Sequence, residues 1–157
     1  MIRSITREFS LEEWSFEGLS PSDQALLQAA HDASKNAYAP YSSFHVGAAV
    51  RLESGEIMSG SNQENMAYPS GLCAERVVFF SAGAQRPKER ILEVAVVTNS
   101  DMPVLNFSPC GGCRQVMLET EMRQEESIRM LMQTGSSNVL VSPNLRQFMP
   151  LTFQLPR

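Results

Sequence analysis

Residues 44–61 read FHVGAAVRLESGEIMSGS, and this stretch carries the first clear pattern of strand structure in the chain. Every second residue from Phe44 to Leu52 is apolar, and an alternation with a period of two predicts a strand. The letters ESGE at 53–56 are typical of a turn, so the letters IMSGS at 57–61 are expected to return as a second strand. The sequence therefore predicts an antiparallel hairpin early in the chain.

Helical patterns flank this hairpin on both sides. Ser20 can cap a helix and Pro21 suits its first position, and this helix is expected to end near Tyr38, before Pro40. After the hairpin, the run CAERVVFFSAGA at 73–84 is apolar all round in its centre, which is typical of a helix buried on most sides. A strand pair between two helices indicates a mixed α/β organisation.

Three further strands are predicted in the second half of the chain. They are ILEVAVVT at 91–98, which looks central and buried, IRMLMQT at 128–134 and NVLVS at 138–142. A helix is expected to open between the first two of these strands, and a short helix is expected after the last. The predicted fold class is α/β, a three-layer α/β/α sandwich with a five-stranded mixed sheet.

The composition indicates a single domain over residues 1–157. A chain of this length buries roughly 70% of its unfolded surface. Its 43% hydrophobic and 19% charged residues are ordinary for a globular protein. Residues 1–19 show no clear period and are interpreted as an N-terminal extension of a core at 20–157. The net charge of −4 disfavours nucleic acid as a partner, because it gives no general attraction for phosphate.

The cysteine content and the N-terminal residues favour a cytoplasmic protein. The opening MIRSITREFSLEEW has no apolar stretch long enough for a signal peptide. No apolar run approaches the ~20 residues that a membrane span needs. Three cysteines are too few, and odd in number, for a disulfide framework, so free or metal-bound thiols are expected.

Two of the three cysteines stand in FSPCGGCRQVM at 107–117. With Ser108 as cap and Pro109 at the first helical position, Cys110 and Cys113 are expected on one face of a helix start. Backbone N–H groups and the dipole at a helix N-terminus favour thiolate over thiol. Taken alone, this C-x-x-C is compatible with a redox dithiol, half of a structural zinc site, or part of a catalytic one.

The third cysteine separates these alternatives. Cys73 opens the CAER run, so it is expected at a second helix N-terminus. Three thiolates around one cation are one ligand short of a closed structural zinc site, whereas three protein ligands plus a water form the catalytic arrangement. Glu75 lies close behind Cys73, where a carboxylate could shuttle protons. The pattern favours a catalytic zinc site.

These motifs resemble the signature of the zinc-dependent cytidine deaminase family. CAER with PCGGCRQ is similar to the branch in which cysteine replaces histidine as the first zinc ligand. YSSFHVGAAV at 41–50 and GSNQENMAYPSGLCAER at 60–76 resemble the small enzymes that act on free nucleosides. The likeness runs in the expected order over about residues 21–118. It weakens at the tail FMPLTFQLPR, which lacks the family's Gly-Pro.

The resemblance implies a role for each residue around the metal. Glu75 is expected to be the general acid and base. Arg76 is expected to donate a hydrogen bond to a zinc-bound sulfur and to offset the negative charge of three thiolates. Gln115 is expected to support the same sulfurs. The implied ligands of one Zn²⁺ per subunit are Cys73, Cys110 and Cys113.

The resemblance also implies a substrate pocket. Asn62 and Glu64 match the pair that hydrogen-bonds the ribose 3′-hydroxyl, and Phe44 matches the aromatic residue that packs on the pyrimidine. Phe153 is a candidate for an aromatic residue that reaches a neighbouring subunit's pocket. Two further residues, Ala74 and Tyr68, are expected to contact the substrate.

The implied activity is hydrolytic deamination of cytidine and 2′-deoxycytidine, a reaction of pyrimidine salvage, in a homotetramer with shared active sites. A blasticidin-type deaminase of a modified nucleoside is an alternative, although Asn62 and Glu64 favour plain nucleosides. A base-flipping polynucleotide deaminase is disfavoured by the net charge. A non-catalytic zinc-stabilised binding module would need a fourth protein ligand, for which His31 and His45 are the histidine candidates.

Overall fold

Three α-helices and six strands occupy residues 2–154, the part of the chain that the computed structural model describes. The helices are α1 (Pro21–Ser34), α2 (Ala74–Gln85) and α3 (Gly111–Gln124). The strands are β1 (Glu12–Trp14), β2 (Val46–Leu52), β3 (Ile57–Ser61), β4 (Ile91–Thr98), β5 (Arg129–Thr134) and β6 (Val139–Ser142). Met1 and 155–157 belong to the predicted domain but lie outside the described residues. None of the helices within 2–154 is long and apolar enough to span a bilayer.

The strands form one mixed sheet in the order β1-β6-β5-β4-β2-β3. β4 and β5 run parallel, and the other neighbouring pairs are antiparallel, including the predicted β2–β3 hairpin. α1 packs on one face through Leu26, Leu27 and Ala30. α2 and α3 pack on the other face, where Val78 and Met117 join the larger core cluster. The predicted three-layer α/β/α sandwich is confirmed.

The sheet has six strands, so the prediction of five was wrong. The additional strand, β1, lies within the N-terminal extension and pairs with β6, with Glu12 opposite Val141 and Trp14 opposite Val139. Its sequence EEW is too short to display a period, and its pairing partner is far away along the chain. All four residues of β6 are buried. β1 pairs with this apolar strand, which would otherwise form an open edge of the sheet.

α3 begins later than predicted. Cys110 is its N-cap and Gly111 its first residue, so Ser108 is not the cap and Pro109 is not the first helical position. The Ser108 hydroxyl oxygen instead accepts a hydrogen bond from Arg114 Nη2 at 2.6 Å. The predicted short helix after β6 is present as a 3₁₀ turn, Leu145–Phe148.

α1 and β2 approach each other closely at Gly47. A Cβ atom at this position would lie 1.9 Å from the carbonyl oxygen of Ala30 and 2.7 Å from the amide nitrogen of Ser34. Only a residue without a side chain therefore lets the helix lie on the strand at this distance. α1 ends at Ser34, at this crossing, rather than near Tyr38 as predicted.

Gly47→Ala is expected to lower the free energy of unfolding by roughly 3 kcal/mol, because backbone atoms of α1 must move to admit the methyl group. The urea midpoint of the variant measures this loss. Gly83→Ala is the matched control, since a Cβ atom there meets nothing within 4 Å and alanine is the better helix former. An unchanged midpoint for Gly47→Ala would show that the close approach is not maintained in solution.

A charge network links the start of α1 to the sheet. The guanidinium of Arg129 on β5 contacts both carboxylate oxygens of Asp23 at 2.5 and 3.2 Å and Glu93 on β4 at 3.0 Å. Arg51 Nε contacts the other oxygen of Glu93 at 2.8 Å. Burial raises the pKa of Asp23, but the hydrogen bond and charge of Arg129 together outweigh burial and leave this pKa below its usual value.

This network predicts a pH-dependent contribution to stability. A carboxyl group with a lowered folded pKa stabilises the fold above its unfolded pKa, near 4, and loses that effect as the pH falls through the folded value. Asp23→Asn should therefore cost about 2 kcal/mol at pH 6. Its difference from the wild type should shrink below pH ~4. Urea unfolding at pH 6 and pH 3 tests this, and an equal difference at both values would contradict it.

The fold brings the N-termini of the two cysteine-bearing helices to the same end of the sheet, where several strands begin or end. Val46, where β2 begins, lies opposite Thr98, where β4 ends. Ser61, where β3 ends, pairs with Gly47 at the same end. α2 follows β3 and α3 follows β4 along the chain, so both helices start near this end of the sheet.

Candidate active site

Three cysteine sulfurs lie together between the starts of α2 and α3. The Cys110 Sγ atom is 3.9 Å from Cys73 Sγ and 3.5 Å from Cys113 Sγ, and all three atoms are within 4.8 Å of one another. Sulfurs bound tetrahedrally to zinc at ~2.3 Å stand roughly 3.8 Å apart. The spacing and the chemistry of the three donors therefore fit a zinc ion.

The local structure explains how these sulfurs come to face one another. Cys73 is the N-cap of α2 and Cys110 is the N-cap of α3, while Cys113 lies in the first turn of α3 and is fully buried. Within residues 2–154 the cluster contains no fourth cysteine, histidine or carboxylate. A tetrahedral ion held by this set keeps one position for a non-protein ligand, as catalytic zinc sites do.

The pKa values of Cys73 and Cys113 are shifted in opposite directions. A hydrogen bond from the Cys113 thiol, followed by the hydrogen bond from Arg76, lowers the pKa of Cys73 to about 5 despite burial. The pKa of Cys113 is raised, because its thiol donates to the Cys73 thiolate and because it is buried. The Cys73 sulfur is thus favoured as a thiolate without a metal, and cysteine ligands release their protons when a divalent cation binds.

Arg76 supplies positive charge at the sulfurs. Its Nη2 atom lies 3.9 Å from Cys73 Sγ, as the resemblance implies, and this contact raises the pKa of Arg76. Three thiolates and one Zn²⁺ carry a net charge of about −1, which the guanidinium offsets. Gln115, in contrast, donates from Nε2 to the carbonyl oxygen of Phe153 at 3.4 Å, so the structure places its amide against the C-terminal tail.

Glu75 is a buried carboxyl group at the start of α2. It is only 4% exposed. Burial raises its pKa to about 7, and the negative charge of Cys73 acts in the same direction. A carboxyl group that titrates near neutral pH can both accept and donate a proton during one reaction. Ala74, beside it, is completely buried and packs in the core cluster under α2.

A cavity of about 470 Å³ opens beside Cys73 and Arg76. It brings together three residues that the sequence assigned to substrate binding, Asn62, Glu64 and Tyr68. This volume suits a small molecule of nucleoside size. The other residues that line it are Tyr41, Ser42, Gln63, Asn65, Gly71 and Leu72.

The side chain of Asn62 holds the loop that leads into β2. Its Oδ1 atom accepts from the Val46 amide at 2.9 Å, and its Nδ2 atom donates to the Phe44 carbonyl at 2.9 Å. Each amide atom keeps one further hydrogen-bonding position, because the oxygen has two lone pairs and the nitrogen two hydrogens. The side chain can therefore hold the loop and still bind a ligand.

Glu64 braces the loop before Phe44. Its carboxylate accepts from the Tyr41 amide at 2.9 Å and from the Ser42 hydroxyl and amide groups. The Ser42 hydroxyl and the Tyr41 amide, in that order, lower the pKa of Glu64. The group is thus an ionised acceptor at neutral pH, and it lines the cavity with a fixed orientation.

The three aromatic candidates occupy different environments. Phe44 is half-buried, packs against the core cluster and lies 6.3 Å from the ring of Phe107, but it does not line the 470 Å³ cavity. Tyr68 is exposed at the cavity rim, with its ring edge-on to Tyr41 at 6.3 Å. Phe153 is 73% exposed on the C-terminal tail. The structure therefore brings only Tyr68 to the cavity of this chain.

Sequence reasoning missed several residues that shape the site. Tyr41 and Ser42 hold Glu64, but they lie more than twenty residues earlier in the chain, and no local pattern shows this contact. Arg114 holds the turn before Cys110 through two hydrogen bonds, to Pro109 and Ser108, and donates a third to the carbonyl oxygen of Phe148. A signal for Arg114 was available, because a cation in the first turn of a helix opposes the helix dipole and needs a specific reason.

Comparisons with known proteins agree with this geometry. Residues 20–125 match the family model described as the cytidine and deoxycytidylate deaminase zinc-binding region. A protein named cytidine deaminase from Halalkalibacterium halodurans is 42% identical over 96 residues, which cover 61% of this chain and 70% of the relative. One from Sporosarcina psychrophila is 44% identical over 96 residues, covering 61% of this chain and 68% of that protein.

Solved structures lead to the same family. The crystal structure of cytidine deaminase from Burkholderia pseudomallei matches with a TM-score of 0.72 and 36% identity, over 83% of this chain and 98% of that one. That of cytidine deaminase from Mycobacterium tuberculosis matches with a TM-score of 0.65 and 32% identity, over 84% and 97% of the two chains. The family that the motifs suggested is thus confirmed, and the chain belongs to the cytidine and deoxycytidylate deaminase zinc-binding family.

Proposed function

We propose that the chain is a zinc-dependent hydrolase that converts cytidine and 2′-deoxycytidine to uridine and 2′-deoxyuridine with release of ammonia. The observation that carries this proposal is the buried Glu75 beside a three-sulfur cluster with no fourth protein ligand within residues 2–154. A structural zinc site would be closed by four protein ligands. His31 and His45, the candidates for a fourth, do not belong to the cluster.

The three cysteines account for the first part of the proposed mechanism, the activation of water. Cys73, Cys110 and Cys113 would hold Zn²⁺, which supplies Lewis acidity that lowers the pKa of a water molecule to near neutrality. Arg76 and the two helix N-termini keep this site from becoming too electron-rich, because they offset the charge of the thiolates.

Glu75 performs the proton transfers in this proposal. As a carboxylate it takes a proton from the attacking water while the water oxygen bonds to the amino-bearing carbon, and it delivers this proton to the adjacent pyrimidine ring nitrogen. As the C–N bond breaks, Glu75 relays the second proton of the water to the leaving amino group, so that ammonia departs. Its raised pKa supports both roles, because neither the acid nor the base form is too rare at neutral pH.

The cavity residues are proposed to position the nucleoside. Asn62 and Glu64 bind the ribose 3′-hydroxyl, which the free lone pairs and N–H group on these side chains support. Tyr68 covers the cavity mouth. Phe44 and Ala74, which do not line this cavity, are proposed to contact the pyrimidine ring from the adjoining core. A nucleoside that lacks this hydroxyl should bind less tightly. The carboxylate of Glu64 would then lose its water without gaining a hydrogen bond in return.

We further propose that residues 1–157 form one domain, with 1–19 as an extension on a catalytic core at 20–157. We also propose that the protein acts in pyrimidine salvage in the cytoplasm, and that it does so as a homotetramer. Free thiols persist in a reducing compartment. Half-exposed Phe80 and exposed Tyr68 and Phe153 offer apolar surface for contacts between subunits. In such an assembly Phe153 reaches a neighbouring cavity.

A panel of nucleosides, assayed for ammonia release with zinc-loaded protein, tests the function. Cytidine and 2′-deoxycytidine should release ammonia, and 2′,3′-dideoxycytidine should react poorly, because it lacks the hydroxyl that Asn62 and Glu64 bind. Release from blasticidin S alone would identify the modified-nucleoside alternative. No release from any compound would support a non-catalytic module and overturn the proposal.

A further inference from the structure

Arg114 directly follows the buried Cys113, yet its guanidinium reaches back to the turn that carries Cys110. The Nε atom donates to the Pro109 carbonyl at 2.7 Å, and Nη2 donates to the Ser108 hydroxyl oxygen at 2.6 Å. Pro109 is buried and immediately precedes Cys110. The first bond holds the backbone next to Cys110, and the second holds the Ser108 side chain in the same turn.

A third bond ties the same guanidinium to the C-terminal part of the fold. Nη1 donates to the carbonyl oxygen of Phe148 at 3.3 Å, at the end of the 3₁₀ turn after β6. That turn is itself anchored to α3, because buried Glu121 accepts from the Leu145 amide at 2.7 Å. Arg114 thus fastens the Cys110 turn to a part of the structure that α3 already holds.

The turn has few other constraints of its own. Cys110, as N-cap, makes no side-chain capping hydrogen bond, unlike Ser20 at the start of α1. Cys110 is also the exposed member of the three-cysteine cluster. The placement of Arg114 is electrostatically unfavourable, because a cation in the first turn opposes the helix dipole. Its three hydrogen bonds offset this cost and give the turn the constraint that the missing cap does not provide.

We propose that Arg114 is a positioning residue of the zinc site, which keeps the Cys110 sulfur at metal-binding distance from the other two sulfurs. This inference rests on the proposed zinc site but not on the deamination reaction. The geometry requires the planar fork of arginine, since three acceptors in different directions are satisfied by Nε, Nη1 and Nη2 together. A lysine keeps the charge but cannot reproduce this pattern.

The test is the rate at which zinc passes from the loaded protein to an excess of a colorimetric chelator, measured without any nucleoside. Arg114→Met and Arg114→Lys should both release zinc roughly 10- to 100-fold faster than the wild type. Arg123→Met, an exposed arginine on the same helix, is the matched control and should release zinc at the wild-type rate. The cobalt-substituted Arg114 variants should also show altered thiolate-to-metal absorption, which a purely structural role would not change.

Three outcomes would overturn the proposal. Wild-type zinc release in Arg114→Lys would show that charge, not the fork, is what matters, and wild-type release in both variants would remove the role altogether. If Arg114→Met does not fold, Ser108→Ala removes one acceptor from an exposed residue and should still accelerate release several-fold; unchanged release there would contradict the proposal. A wild-type protein that binds zinc but leaves cytidine unchanged would refute only the proposed function.

Discussion

Glu75→Ala is expected to abolish cytidine deamination while zinc content stays at one ion per chain. General acid–base catalysis contributes about 10²- to 10⁴-fold for a proton transfer, and Glu75 is assigned more than one transfer. A loss of at least about 10⁴-fold in kcat is therefore expected. The decrease in cytidine absorbance gives kcat, and elemental analysis of the same preparation gives the zinc content.

The matched control is Glu119→Ala, which removes an exposed carboxylate from α3. Its kcat and zinc content should equal those of the wild type. Glu75→Gln keeps the shape of the side chain but cannot take up a proton, so it should be as inactive as the alanine variant. A Glu75→Ala protein with a near-normal rate would assign the proton transfers to another group.

Cys113→Ala is expected to empty the metal site. The Cys113 sulfur is fully buried, so no water can easily replace it as a ligand. Changes to residues that merely support metal ligands cost about 10- to 100-fold in affinity, and loss of a ligand should cost more than 100-fold. Elemental analysis after dialysis should find little zinc, and cytidine turnover should fall with it.

Circular dichroism of the Cys113→Ala protein separates metal loss from unfolding. The core clusters do not depend on the sulfurs for most of their apolar contacts, so a folded metal-free protein is the expected state. A variant that keeps one tightly bound zinc ion and full activity would show that the three sulfurs are not the ligand set.

The layered fold could be predicted because its signals are local. The alternation from Phe44 to Leu52 and the apolar run of 91–98 each identify a strand without knowledge of its neighbours. β1 could not be predicted in this way, because three residues acquire their strand geometry from pairing with β6. The start of α3 was misplaced for a similar reason, since Arg114 engages the hydroxyl of Ser108 that local rules assigned to capping.

The residues of the candidate site likewise differ in whether local sequence signals could predict them. The three cysteines and Glu75 stand at helix starts, where motif and helix signal coincide, and the structure brings the three sulfurs together. The bracing of Glu64 by Tyr41 and Ser42 joins segments that are distant in sequence, so it is visible only in the structure. Phe44 has the alternation of a core residue, and the structure leaves it packed on the core rather than lining the cavity.

The central claim is that one zinc ion, held by three cysteines, and the carboxyl group of Glu75 together deaminate cytidine. It is tested most directly by titrating metal-free protein with Zn²⁺ and measuring ammonia release from cytidine at each step. The account predicts no release without metal, a linear rise to a plateau at one zinc per chain, and no rise for Glu75→Ala. Full activity in the metal-free protein, or no ammonia at one zinc per chain, would contradict it.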